Sequence, residues 1–122
     1  MIVFDTYAWI EYFRGTEEGR AAKMYVESND EIAVSSLCLA EIRIKYGREG
    51  HDAADKLRFI LSRSIVVDVT GEIALLAAEQ RLKHGLYIVD ALMYATALRF
   101  NSKLLTGDRH FQKLENAEFM EK

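Results

Sequence analysis

Four short β-prone runs recur along the chain: Ile2-Val3-Phe4, Ile32-Ala33-Val34-Ser35, Ile65-Val66-Val67 and Lys103-Leu104-Leu105-Thr106. Apolar runs this short, without polar alternation, suit strands covered on both faces. Between them lie stretches of helical periodicity, and strands alternating with helices imply a parallel sheet. Residues 2–5 read as the first strand, and Asp5 opens a helix over Thr6 to Arg14 that breaks at Gly15. A second helix fits 17–28, with two glutamates in its first turn. The Ser35-Ser36 pair offers an N-cap for a helix over 37–46, closed by Gly47 and Gly50. Residues 52–63 place Ala54, Leu57, Ile60 and Leu61 on one stripe. Thr70 starts a helix that runs to His84 and stops at Gly85. A further helix spans 88–100, and Gly107-Asp108 turns into a short helix. A weaker fifth strand falls at Glu118 to Met120. The expected fold is a three-layer α/β domain over residues 1–122.

Composition narrows the class. Of the 122 residues, 50% are hydrophobic and 29% charged, which excludes disorder. The single cysteine, Cys38, excludes an intrachain disulfide, and with three histidines it excludes a Cys/His zinc cage. The longest apolar run, Leu86 to Leu98, contains Asp90 and falls well short of the roughly 20 residues that span a bilayer. Met1 to Asp5 carries no basic region or cleavage site, so a cytoplasmic protein without a membrane partner is expected. Net charge is −3, which taken alone disfavours a broad basic surface for nucleic acid.

The informative residues are carboxylates in places where carboxylates are costly. Asp5 follows a strand directly, either as a helix N-cap or as a group at the carboxyl edge of the sheet, where ligands collect. Asp108 follows the fourth strand and has the same two readings. Asp90 lies in a helix apolar on every side, where an ionised carboxylate costs several kcal/mol unless paired or bound to a cation. Glu41 shares a helical face with Leu37 and Ile44; its plain alternative is an i,i+4 pair with Lys45. Carboxylates converging on one sheet edge repel and raise one another's pKa, and they persist as anions only around a hard cation. Oxygen ligation without His or Cys points to Mg²⁺ or Mn²⁺, the usual apparatus of phosphoryl chemistry. Two such ions would turn −3 into +1, removing the objection to a polyanionic substrate.

Four segments together resemble the PIN-domain ribonucleases, in particular VapC-like toxins of prokaryotic toxin–antitoxin pairs. They are Ile2-Val3-Phe4-Asp5-Thr6-Tyr7-Ala8-Trp9-Ile10, Ser36-Leu37-Cys38-Leu39-Ala40-Glu41-Ile42, Ile88-Val89-Asp90-Ala91-Leu92-Met93-Tyr94-Ala95-Thr96-Ala97 and Leu104-Leu105-Thr106-Gly107-Asp108-Arg109-His110-Phe111. The resemblance covers the whole chain. It implies a parallel five-stranded sheet of order 3-2-1-4-5 between helices. It also implies an acidic pocket of Asp5, Glu41, Asp90 and Asp108 that holds Mg²⁺ or Mn²⁺ and hydrolyses RNA with metal-activated water, leaving a 5′-phosphate. Thr6 and Thr106 would support the carboxylates or waters by hydrogen bonds. The implied partners are RNA, a small antitoxin protein and a second copy of the chain. The tail from Asn116 departs from the pattern, being weakly apolar for a fifth strand.

Arg43 and Arg109 are the candidate phosphate contacts, with Lys45, Arg48 and Lys113 nearby in sequence. His110 is expected to pack or cap. The helix Thr6 to Arg14 carries Tyr7, Trp9, Ile10, Tyr12 and Phe13, more apolar surface than one sheet face uses. With Met24 and Tyr25 it is the expected antitoxin or dimer surface. Three alternatives compete: a catalytically inactive PIN-like module binding RNA or protein, a receiver domain phosphorylated on Asp68, and an aspartyl phosphatase. The receiver lacks its usual Lys-Pro turn, since the chain has no proline, and the phosphatase would need an acid where Tyr7 stands.

Overall fold

The computed structural model describes residues 1–121. In chain order the elements are β1 (Ile2–Phe4), α1 (Thr6–Arg14), α2 (Arg20–Glu27), β2 (Ile32–Ser35), α3 (Ser36–Arg48), α4 (Ala54–Arg63) and β3 (Ile65–Val67). There follow α5 (Gly71–His84), α6 (Ile88–Arg99), β4 (Lys103–Thr106), a 3₁₀ turn (Arg109–Phe111) and β5 (Ala117–Phe119). All strand pairs are parallel, in the order β3-β2-β1-β4-β5. This is the expected three-layer α/β/α architecture. The order also excludes a receiver domain, whose sheet runs 2-1-3-4-5.

The topology positions the site. The chain steps outward from β1 to β2 to β3, then returns through α5 and α6 to β4 on the other side of β1. Right-handed crossovers in opposite directions put their helices on opposite faces, so α1–α4 cover one face and α5–α6 the other. The direction reverses between β1 and β4, whose registers match Ile2 to Lys103 and Phe4 to Leu105. Their carboxyl ends open the crevice in which doubly wound sheets bind ligands.

The core explains the element types. Val3, Phe4, Ala33, Val34, Leu104 and Leu105 are fully buried, as continuous apolar strands require. From α1, Ala8 and Trp9 pack into the core, and Trp9 stacks on Phe13 while tilting against Phe4. Among the described residues no helix is long and apolar enough to cross a membrane.

Several expected details differ. The second helix begins at Arg20, leaving Glu17 and Glu18 in the preceding turn. There Gly19 donates its N–H to Thr16 Oγ1 at 3.1 Å and packs directly on the Glu11 carbonyl. Gly47 lies inside α3 instead of ending it; Gly50, at φ 76°, supplies the left-handed turn. In α4 Ile60 is buried, but Leu61 is 53% exposed and off the inner stripe. The short helix after Asp108 is a single 3₁₀ turn. The fifth strand forms one residue earlier than expected, and Tyr25 Oη donates to Glu118 Oε1 at 2.7 Å from α2. Trp9 and Ile10 belong to the core, so of the partner surface expected on α1 only Tyr7, Tyr12 and Phe13 stay accessible; Tyr12 stacks on Phe59 of α4 and Phe13 meets it edge-on.

Candidate active site

Asp5 ends β1 and caps α1. Its Oδ1 accepts the Ala8 N–H at 2.7 Å, a bond that Asp at this position makes well. The cap reading is thus observed, and the same side chain stands at the carboxyl edge of the sheet, where the Thr106 side chain also bonds it. Burial, opposed by hydrogen bonds from the Thr106 side chain and Ala8 and reinforced by Asp90 and Asp108, pushes the Asp5 carboxyl from 3.8 to about 7.

Asp108 repeats the device one strand over. It follows β4 and Gly107, caps the 3₁₀ turn through the His110 N–H at 2.9 Å, and donates its own N–H to Thr106 Oγ1 at 3.0 Å. His110 Nδ1 lies 2.9 Å from Asp108 Oδ1, with the histidine side chain largely exposed. Asp90 sits in the first turn of α6, half-buried. Desolvation raises its pKa, with Asp108 and then Glu41 adding to the rise and His110 opposing it.

Glu41 reaches the site from α3. The pair with Lys45 does not form: Lys45 Nζ bonds Glu49 Oε2 at 2.7 Å, while Glu41 Oε1 accepts from Thr6 Oγ1 at 2.5 Å. Its apolar neighbours also differ from expectation. Cys38, Ile42 and Tyr46 face the core, whereas Ile44 is 51% exposed, so Glu41 lies on the flank of the buried stripe.

The four carboxylates line one cleft of about 560 Å³ at the carboxyl ends of β1 and β4, together with Thr6, Tyr7, Ile10, Met93, Gly107 and Arg109. Arg109 is the candidate phosphate contact that reaches this cleft; Arg43 is exposed on α3 and does not line it. Among the described residues, no three His, Cys, Asp or Glu side chains are gathered closely enough to enclose an ion as they stand. The acids form an open rim and not a closed cage. The chemistry of the donor set fits a hard divalent cation: oxygen ligands only, one of them buried, with the Asp5 and Asp90 carboxyls pushed up by burial first and by their acidic neighbours second. Asp5, Glu41, Asp90 and Asp108 would hold it. Such a cation supplies Lewis-acid stabilisation of phosphate charge and acidifies a bound water.

Two features of the rim escape sequence reading. Gly107, in the turn after β4, has no left-handed φ, yet a Cβ there would overlap the Tyr7 ring. Tyr7, expected in a partner patch, instead walls the cleft and donates its hydroxyl to Glu18, which pushes the phenol up to about 12. The adjacency of β1 and β4 creates this contact across the sheet, so no local spacing announces it.

A family model described as "PIN domain" matches residues 2–117. No curated protein sequence matches the chain significantly. Several solved structures share the fold. A toxin–antitoxin complex from Klebsiella pneumoniae contains a chain that superposes with a TM-score of 0.84 at 21% identity, covering 100% of this chain and 99% of that one. VapC20 of Mycobacterium tuberculosis, described as a sarcin-ricin loop cleaving toxin, gives 0.77 at 22%, covering 94% and 95%. A chain of VapBC2 from Rickettsia felis, bound to a DNA fragment from its promoter, gives 0.74 at 23%, covering 99% and 100%.

Proposed function

The chain belongs to the PIN-domain family, and from that premise we propose that it is a Mg²⁺- or Mn²⁺-dependent endoribonuclease, the toxin of a type II toxin–antitoxin pair, acting as one domain over residues 1–122. One observation carries the reading: four carboxylates, two just past the ends of β1 and β4 and two from α3 and α6, face a single cleft at the topological switch point, with an arginine on its rim. An acidic cleft of this kind is repulsive to RNA until a cation enters, and with one it suits a phosphodiester.

The chain's own residues divide the work. Asp5, Glu41, Asp90 and Asp108 hold the cation. Thr6 orients Glu41 by donating to it, while Thr106 bonds Asp5 through its side chain and accepts the backbone N–H of Asp108. Arg109 contacts a phosphate oxygen without reading sequence. An antitoxin partner is supported by the toxin–antitoxin complexes that share the fold. For a second copy of the chain, α5 is the better surface, because Leu75 and Leu82, two turns apart, are 73% and 87% exposed with Tyr87 close behind.

Cleavage of total cellular RNA by the purified chain, freed of any partner, tests the reading. Discrete 5′-phosphorylated fragments should form with Mg²⁺ or Mn²⁺ and vanish with EDTA or with Asp90→Asn. Neither cleavage nor metal binding by the parent would refute it and favour an inactive binding module.

A further inference from the structure

Tyr7 stands where two clefts meet. The second, of about 620 Å³, shares Tyr7, Gly107 and Arg109 with the acidic cleft and adds Glu18 together with Gln112, Phe119, Met120 and Glu121 beside the end of β5. The ring is fixed from two sides. Its hydroxyl donates to Glu18 in the turn before α2, and its edge lies on Gly107, where any Cβ would overlap it. Gly107 has no left-handed φ, so its missing side chain is required by the ring and not by the backbone.

A rigidly held aromatic ring that remains 37% exposed beside a phosphate-handling cleft suits base stacking, which is tolerant of sequence because every base has a π-face. The two clefts differ in chemistry. The acidic one suits a cation and the phosphate it neutralises. The second offers an amide, two carboxylates (Glu121 and Glu18, the latter bonded by the Tyr7 hydroxyl) and the Phe119 ring, with one arginine at its border, partners for an uncharged base edge. The geometry points to Tyr7 as a substrate-positioning residue: on the nuclease reading above, the base next to the scissile phosphate stacks on its ring and enters the second cleft, while Arg109 holds the phosphate at the border.

The test is fluorescence anisotropy of a labelled single-stranded oligoribonucleotide of mixed sequence on Asp90→Asn protein, paired with kcat and KM on the cleavage-competent chain. Tyr7→Ala should weaken binding and raise KM by about tenfold or more, with Mn²⁺ affinity unchanged. Tyr7→Phe, which keeps the ring, should retain most of the affinity. Gly107→Ala should weaken RNA binding by displacing the ring, and should add nothing in the Tyr7→Ala background. Unchanged RNA affinity in Tyr7→Ala, or a Gly107→Ala effect of equal size in both backgrounds, would overturn the inference. If the parent cleaves RNA, such a result removes this inference alone. A parent that neither cleaves RNA nor binds Mn²⁺ removes the nuclease reading and the inference together.

Discussion

Replacing Asp5 by Asn should stabilise the metal-free protein while disabling its site. Asn caps helices as well as Asp, and its Oδ1 can keep the 2.7 Å bond from the Ala8 N–H, so the substitution removes the charge and, with it, only the bond from the Thr106 side chain. The parent carboxyl titrates near 7 when folded and near 3.8 when unfolded. A rise of about three units at about 1.4 kcal/mol each costs the folded state up to about 4 kcal/mol once the group is ionised. The sign follows from which state holds the proton. Below about pH 4 both states are protonated and the cost is absent; between about pH 4 and 7 the unfolded chain ionises first, so stability falls as pH rises; above that the deficit is constant. Urea unfolding in EDTA should therefore show Asp5→Asn more stable than the parent at about pH 8, with the gap closing toward about pH 4. Excess Mn²⁺ should stabilise the parent, by about 2.7 kcal/mol at a hundredfold excess over Kd, and the variant much less. A variant no more stable than the parent at about pH 8, or a gap independent of pH, would refute the electrostatic account of the site.

Other perturbations probe separate links. Thr6→Val removes the donor that holds Glu41 and should lower Mn²⁺ affinity about 10- to 100-fold by calorimetry, with the thermal midpoint little changed; unaltered affinity would show that Glu41 orients itself. Leu75→Glu with Leu82→Glu should convert a dimer to a monomer in light scattering without loss of stability, since both side chains are exposed; a persisting dimer would place the interface elsewhere. Trp9→Ala should cost about 3–5 kcal/mol in urea unfolding, because its ring is wholly buried among Phe4, Tyr12, Phe13 and Phe59. A cost below about 1 kcal/mol would mean that this aromatic cluster is not core.

What the sequence reveals and what it hides divide along the range of the interactions. The strands are legible because Ile2 to Phe4 and Ile32 to Ser35 are buried on both faces and so carry no polar alternation. The bounds of α5 are legible because Thr70 and Gly85 act through bonds to their immediate neighbours. Asp5 and Asp108 stand out because a strand end followed by an acid is a local pattern. Glu41 is not legible in the same way, because it flanks the buried stripe and its partner is Thr6, 35 residues away and on another helix. Contacts of that kind depend on sheet order, as does the seat of Tyr7 on Gly107. The fifth strand looked weak because Glu118 occupies its centre, yet an edge strand tolerates a carboxylate that Tyr25 can bond. The exposed leucines of α5 are not legible because Ile73 and Ala77 account for its periodicity by themselves.

Calorimetric titration of Mn²⁺ into the parent and into Asp5→Asn, Glu41→Gln, Asp90→Asn and Asp108→Asn asks whether four carboxylates, distant in sequence, form one cation site. Saturable binding by the parent is expected, weakened about tenfold or more in each variant. Binding that none of the four substitutions disturbs, or no binding by a folded parent, would refute a shared site.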